Sequence, residues 1–187
     1  MFERFTKDAR ALVQGAFAQA EEDGARSVGA GHLLLALLDT EGGRASRALS
    51  ALGLAERRDS IRRALGEARR RAGLSRADTD ALAGLGIDVS EIVARVEEAH
   101  GVGAMSESSR AIGRRDGRRP GFGRDAKDVL ERALRAAVGH GDRHIGDEHL
   151  LLALTVTPGA AAEVLAEHGA TYEAVRRVLY GVTAEAE

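Results

Sequence analysis

Residues 29–37 read Gly-Ala-Gly-His-Leu-Leu-Leu-Ala-Leu, and residues 146–154 read Gly-Asp-Glu-His-Leu-Leu-Leu-Ala-Leu. A helix built on Leu-Leu-Leu-Ala-Leu is apolar nearly all round, so it belongs at the centre of a bundle and not on its surface. Working outward, residues 5–37 align without a gap on residues 122–154 at a constant offset of 117. Fourteen of these 33 positions are identical, among them Phe5/Phe122, Asp8/Asp125, Ala9/Ala126, Ala16/Ala133, Gly24/Gly141, Arg26/Arg143 and His32/His149. After a one-residue slip the match resumes at Gly43/Gly159, Leu49/Leu165 and Gly53/Gly169. Two more residues are lost before Arg62-Arg63 meets Arg176-Arg177. A period this long, seen twice, is the duplication of a unit of several helices, not a short-repeat solenoid.

Each copy predicts four helices. Ala9, Leu12, Val13, Ala16, Phe17 and Ala20 follow the i, i+3, i+4, i+7 rule and form one stripe. Ala126, Val129, Leu130, Ala133, Leu134 and Ala137 answer them in the second copy. The third helices use Ala45, Ala48, Leu49 and Leu52 against Ala161, Val164 and Leu165. The fourth use Ile61, Ala64 and Leu65 against Val175, Val178 and Leu179. Thr6 and Asp147 read as N-caps, Thr157-Pro158 as an N-cap with proline at the first helical position, and Gly53 and Gly169 as C-terminal glycines. Ala30 stands where the second copy has Asp147, so the second helix is expected to start more loosely in the first copy, by about 1 kcal/mol for a lost cap.

Some fifty residues separate the copies. Ser75-Arg76-Ala77-Asp78 and Asp88-Val89-Ser90-Glu91 resemble capping boxes. The second opens a helix with Val89, Ile92, Val93 and Val96 on one face, and Leu85-Gly86-Ile87 echoes Leu52-Gly53-Leu54, as in a duplicated tail of the first copy. Residues 101–121, rich in Gly, Ser and Arg and without an apolar period, read as a mobile linker.

Composition narrows the function. There is no cysteine, hence no disulfide framework, thiolate metal site or cysteine nucleophile. Net charge is −2 with the two signs interspersed, which speaks against nucleic acid as the main partner. The N-terminus has no apolar signal core, and the longest apolar run, Leu33–Leu38, is too short to span a bilayer. A cytoplasmic protein with no membrane partner is expected. No Val/Ile/Thr-rich run alternates with period two, so an all-α fold without a sheet is predicted.

The opening MFERFT, the pattern G-x-x-H-L-L-L-A-L at Gly29 and Gly146, and the A-x-x-x-L-x-x-x-G tail at Ala45 and Ala161 resemble the Clp N-terminal repeat. The resemblance is to a stand-alone copy of the N-terminal domain of Clp-type chaperone ATPases, ClpC-like. It implies a pseudo-twofold domain of about eight helices, with residues 1–65 as repeat 1, 66–121 as helical insert and Arg/Gly-rich linker, and 122–180 as repeat 2, both repeats in one domain. No G-x-x-x-x-G-K-[ST] occurs, so no phosphate-cradling loop of the nucleotide-binding modules is present.

The resemblance also implies binding positions. A phosphoarginine-type site pairs a threonine near the start of each first helix with the glutamate of G-T-E-H. The first copy keeps Thr6 but has Gly31 for the glutamate, and the second keeps Glu148 but has Gly123 for the threonine, so each site is half lost. A second surface, where the two first helices meet, takes adaptors and cyclic-peptide antibiotics; the matching positions are Phe2, Arg10, Phe122, Lys127 and Glu131. Aromatics supply buried area there and charges fix orientation. The plainer reading of Phe2 and Phe122 is that they staple helix starts to the core.

Other clusters read as structure. His32 and His149, at the same place in both copies, are expected to be packed, hydrogen-bonded residues at helix starts. His140, His144, Asp142 and Glu148 lie close in sequence but lack a recognised ligand spacing. Arg62, Arg63 and Arg69–Arg71 form a basic helix end, and Arg114, Arg115, Arg118 and Arg119 a soluble linker. No nucleophile–base pair is visible. The expected protein is therefore not an enzyme and has no cofactor and no metal. It is a binder of adaptors, degrons or cyclic-peptide toxins, acting as regulator or decoy in trans. The alternatives are a docking fragment of a full-length Clp ATPase, or a metal or enzymatic protein on a helical fold. A monomer is expected, with the helix near Asp88–Ala99 as the candidate for self-association.

Overall fold

The computed structural model describes residues 3–25, 27–71, 74, 76–100 and 120–181. The first copy forms α1 (Lys7–Glu22), α2 (Ala30–Asp39), α3 (Arg44–Ala51) and α4 (Arg58–Arg70), with one 3-10 turn at Ala55–Arg57. The insert forms α5 (Arg76–Gly84) and α6 (Val89–His100). The second copy forms α7 (Arg124–Gly139), α8 (Asp147–Val156), α9 (Ala160–Glu167) and α10 (Tyr172–Tyr180). The all-α expectation holds. Phe2, Ser75, linker residues 101–119 with their arginines, and residues 182–187 lie outside the described residues.

Two short extended pairings correct the prediction of no sheet. β1 (Ser27–Val28) runs parallel to β2 (Gly121–Phe122), and Phe5 bridges Ile145. The repeat relates the two pairings, since Phe5 answers Phe122 and Val28 answers Ile145. Each segment enters a helix in extended form, and side by side they satisfy groups such as Gly123 N–H, which donates to Val28 C=O at 2.8 Å, and Thr6 N–H, to Ile145 C=O at 2.9 Å. Two-residue strands are too short to show alternation in a sequence.

The core is continuous across both copies. In α2, Ala30 and His32 to Leu38 are buried, and in α8 every residue from Asp147 to Leu154 is, as their lack of a polar stripe requires. α1 packs on α2, α7 on α8, and α2 and α8 meet in the middle. The outer helices are exchanged between copies: α3 lies against α10, and α4 against α9. The hairpin α3–α4 thus pairs crosswise with α9–α10. Most stripe residues are inside, but Leu134 and Val178, each 40% exposed, turn outward, as does Ile92 of the insert at 46%.

Helix ends hold further corrections. Thr6 caps α1 as expected, its hydroxyl accepting from Ala9 N–H at 3.2 Å, and Gly53 and Gly169 follow α3 and α9 with φ of 73° and 86°. Thr157 does not start α9; it ends α8, its hydroxyl donating to Ala153 C=O, and Gly159 is the N-cap instead. Asp147 is not the N-cap of α8, which is Gly146. Nor does the start of α2 lack a side-chain acceptor: Asp125 of α7 accepts from Ala30 N–H at 2.7 Å. An acceptor 95 residues away replaces the local cap.

Candidate functional site

At the start of each central helix a histidine occupies the third helical position. His32 Nδ1 accepts from Gly29 N–H at 2.8 Å, and His149 Nδ1 accepts from Gly146 N–H at 3.0 Å. This is the role a Gln or Glu plays in a capping box. An acceptor Nδ1 carries no proton, so the ring proton sits on Nε2. That nitrogen faces an acid from the turn after the first helix: Asp23 at 3.3 Å in copy one, Asp142 at 3.1 Å in copy two. The two acids are not equivalent in the alignment, where Asp23 answers His140. The histidines are packed and bonded, as the sequence implies; the choice of acid is visible only in space.

Around His149 a polar cluster is built by three helices. Asp147, at the first position of α8, reaches the start of α3, where its Oδ2 accepts from Ala45 N–H at 2.9 Å. Gly43 makes the approach feasible, since a Cβ there would collide with the Asp147 carboxylate. Glu148, 6% exposed, receives the Arg44 guanidinium at 2.8 Å. Arg44 also lies 5.3 Å over the Tyr180 ring and donates to Leu179 C=O at 3.4 Å. Tyr180 stacks edge-on to His140 at 4.1 Å. Burial drives the Tyr180 hydroxyl up to about 12, against the pull of Arg44, and holds Asp147 above and His149 below their usual ranges.

Asp142, Glu148 and His149 bring ligand atoms within 4.8 Å of one another. The donor chemistry opposes a metal there. A cation on His149 Nε2 would have to displace its proton while Nδ1 is committed to Gly146, and Glu148 already holds Arg44. His144 is not part of this group. A small cleft lined by Leu37, Leu38, Ser46, Leu49, Ala55 and Arg58 contains neither His140 nor His144.

Thr6 is committed to its own helix and Glu148 to Arg44. Phe122 is half-buried, its ring edge-on to Phe17 at 5.0 Å, so it does brace the start of α7 on α1. Arg10, Lys127 and Glu131 are exposed, and Glu131 pairs with Arg135 one turn on. Lys127, Glu131, Leu134 and Val138 fall on one exposed face of α7. Sequence reasoning missed Leu134 and Val138 as surface groups, because an apolar stripe gives no sign of where its edge leaves the core.

Among the described residues no single helix is long and apolar enough to cross a membrane; α8 and α9 qualify only as a pair bent by 96°. The profile of the Clp repeat (R) N-terminal domain matches residues 4–100, 72–168 and 121–187. The chain is 29% identical over 181 residues to the chaperone protein ClpB of Corynebacterium diphtheriae, covering 97% of this chain and 17% of that protein. Its fold is similar to the N-terminal domain of ClpD from Arabidopsis thaliana (TM-score 0.56, 19% identity, 97% of this chain and 95% of that one). It is also similar to the Hsp104 N-terminal domain from Candida albicans (TM-score 0.52, 17% identity, 95% and 89%).

Proposed function

This chain belongs to the Clp repeat N-terminal domain family, and from that premise we propose that it is a non-catalytic protein- and peptide-binding module of the Clp chaperone–protease system, working in the cytoplasm. Its ligands are adaptors, degrons or cyclic-peptide toxins, and it acts as a regulator or decoy in trans. One observation carries the choice of surface. Arg10, Lys127 and Glu131 are exposed, and the Phe122 ring is already braced by Phe17. A pre-ordered ring loses little entropy when a peptide covers it, and charges of both signs orient the chain laid over it. Phosphoarginine is left out of the ligand set. Glu148, the acid that would receive a guanidinium, is filled by Arg44 of the chain itself.

Fluorescence anisotropy with a labelled, permanently unfolded casein fragment tests the reading. Phe122→Ala is expected to weaken binding about tenfold or more, as for an anchoring aromatic, and a Lys127→Glu/Glu131→Lys exchange to weaken it less. Equal affinities for wild type and both variants would sink the assignment. A second reading, a docking segment of a longer Clp ATPase, draws on the match to 17% of a ClpB chain; the open reading frame around the coding sequence decides it.

A further inference from the structure

The insert hairpin α5–α6 repeats the structure of the two hairpins that pair across the core. In α3–α4, α9–α10 and α5–α6 the first helix ends in the same wrap. Leu54 N–H donates to Leu49 C=O at 2.9 Å, Ala170 N–H to Leu165 C=O at 2.8 Å, and Ile87 N–H to Leu82 C=O at 2.9 Å. The glycine before each donor has a φ of 73°, 86° and 78° in turn, the left-handed step such a wrap requires. The second helix of two of them then opens on a side-chain cap: Thr171 for α10, and Asp88 for α6, which accepts from Ser90 and Glu91 N–H.

The correspondence extends to the faces. Ile87 stands where Leu54 and Ala170 stand, and Ile92 where Ile61 and Val175 stand; those four are fully buried, whereas Ile87 is 40% and Ile92 46% exposed. Leu85, 78% exposed, stands where His168 reaches across to Ser60 of the opposing hairpin at 3.1 Å. The insert hairpin carries the buried Val89 and Val93 on its other side. It turns to solvent the face that its two relatives bury. The nearest charges on α6 are already paired with each other, Glu91 with Arg95 at 2.6 Å.

We propose that the α5–α6 hairpins of two copies of this chain pair across a twofold axis through Leu85, Ile87 and Ile92, as α3–α4 pairs with α9–α10 within one copy. Within the molecule hairpins of this build pair with one another, α3 on α10 and α4 on α9, besides packing on α2 and α8. A second copy brings an identical hairpin, and a self-complementary patch closes as a twofold dimer. This departs from the monomer expected of the family and is independent of the peptide-binding reading. A dimer would present two copies of any binding surface, raising avidity for a ligand with two sites.

Sedimentation equilibrium of the full chain provides the test. Wild type is expected at twice the chain mass at micromolar concentration, and Ile87→Glu/Ile92→Glu at the chain mass with an unchanged helical circular dichroism spectrum. Val138→Glu, at an exposed site on α7, should remain dimeric. A monomeric wild type overturns the proposal, including the case in which only a foreign protein protects the patch. A dimer that survives the double substitution overturns it as well, because another surface would then be holding the copies together.

Discussion

Two junctions related by the internal repeat differ in almost every side chain. Where α8 meets α3, the groups are Asp147, Glu148, Arg44 and Tyr180. Where α2 meets α9, the equivalent positions are Ala30, Gly31, Ala160 and Gly66. One junction is a buried, paired polar cluster and the other is made of small residues, yet each holds an equivalent pair of helices together. The four changes go as a set, and the physical reason is plain. A buried Glu148 without Arg44 would leave a charge uncompensated, while an apolar junction needs neither. His32 and His149 are common to both sides because each satisfies a backbone N–H that every such helix start exposes.

If the two halves are equivalent at their centres and differ only at these junctions, Leu34→Ala and Leu151→Ala should be the most damaging changes and nearly equal. Each leucine is fully buried, so a loss of about 3–4 kcal/mol is expected for both in urea melts. A gap wider than about 1 kcal/mol would break the symmetry of the centre. Next comes Arg44→Ala, expected to cost about 2 kcal/mol because Glu148 stays buried without its guanidinium. Arg44→Ala/Glu148→Ala, which approaches the small-residue junction, should recover about half of that, and a double-mutant cycle measures the coupling.

Asp125→Ala removes the acceptor at the start of α2 and should cost about 1 kcal/mol. Asp147→Ala removes the matching acceptor at the start of α3 but also relieves a carboxyl whose burial disfavours its charge, so its thermal shift should be smaller. The reverse order would mean that the cap outweighs burial. The least effect is in the pH profile. Burial keeps the folded His149 below its ordinary 6.5, so the unfolded chain binds the proton more readily. The stability tied to its neutral ring is complete above about 6.5 and is lost as pH falls below it. Asp147 works in the opposite direction, its carboxyl regaining stability as it protonates on the way down to 3.8. Gln at position 149 retains the acceptor without titrating, so the melting temperature of His149→Gln should fall less than that of wild type between pH 7 and 5.5.

Much of the fold is legible in the residues. The two apolar runs locate the central helices, Thr6, Gly53 and Gly169 locate helix ends, and the offset of the repeat gives four helices per copy. Thr157 misled because a threonine before proline looks like a start signal, whereas its hydroxyl folds back on Ala153 to end the helix before it. The candidate site was less legible. Phe122 could be read as anchor or staple, and only its contact with Phe17 shows the brace. The pairing of Arg44 with Glu148 spans 104 residues, and no local pattern marks it.

By itself, the sequence determined which segments are helical, which of them lie at the centre, and that the unit occurs twice, because periodicity and caps are local properties of the chain. Tertiary structure alone decided what each face meets. It exchanged α3–α4 with α9–α10 and lent Asp125 and Asp147 to helices they are not part of. It also turned the insert hairpin's Ile87 and Ile92 outward. An amphipathic stripe states that a face must be covered; the covering partner is fixed only when every other face in the molecule has found its own.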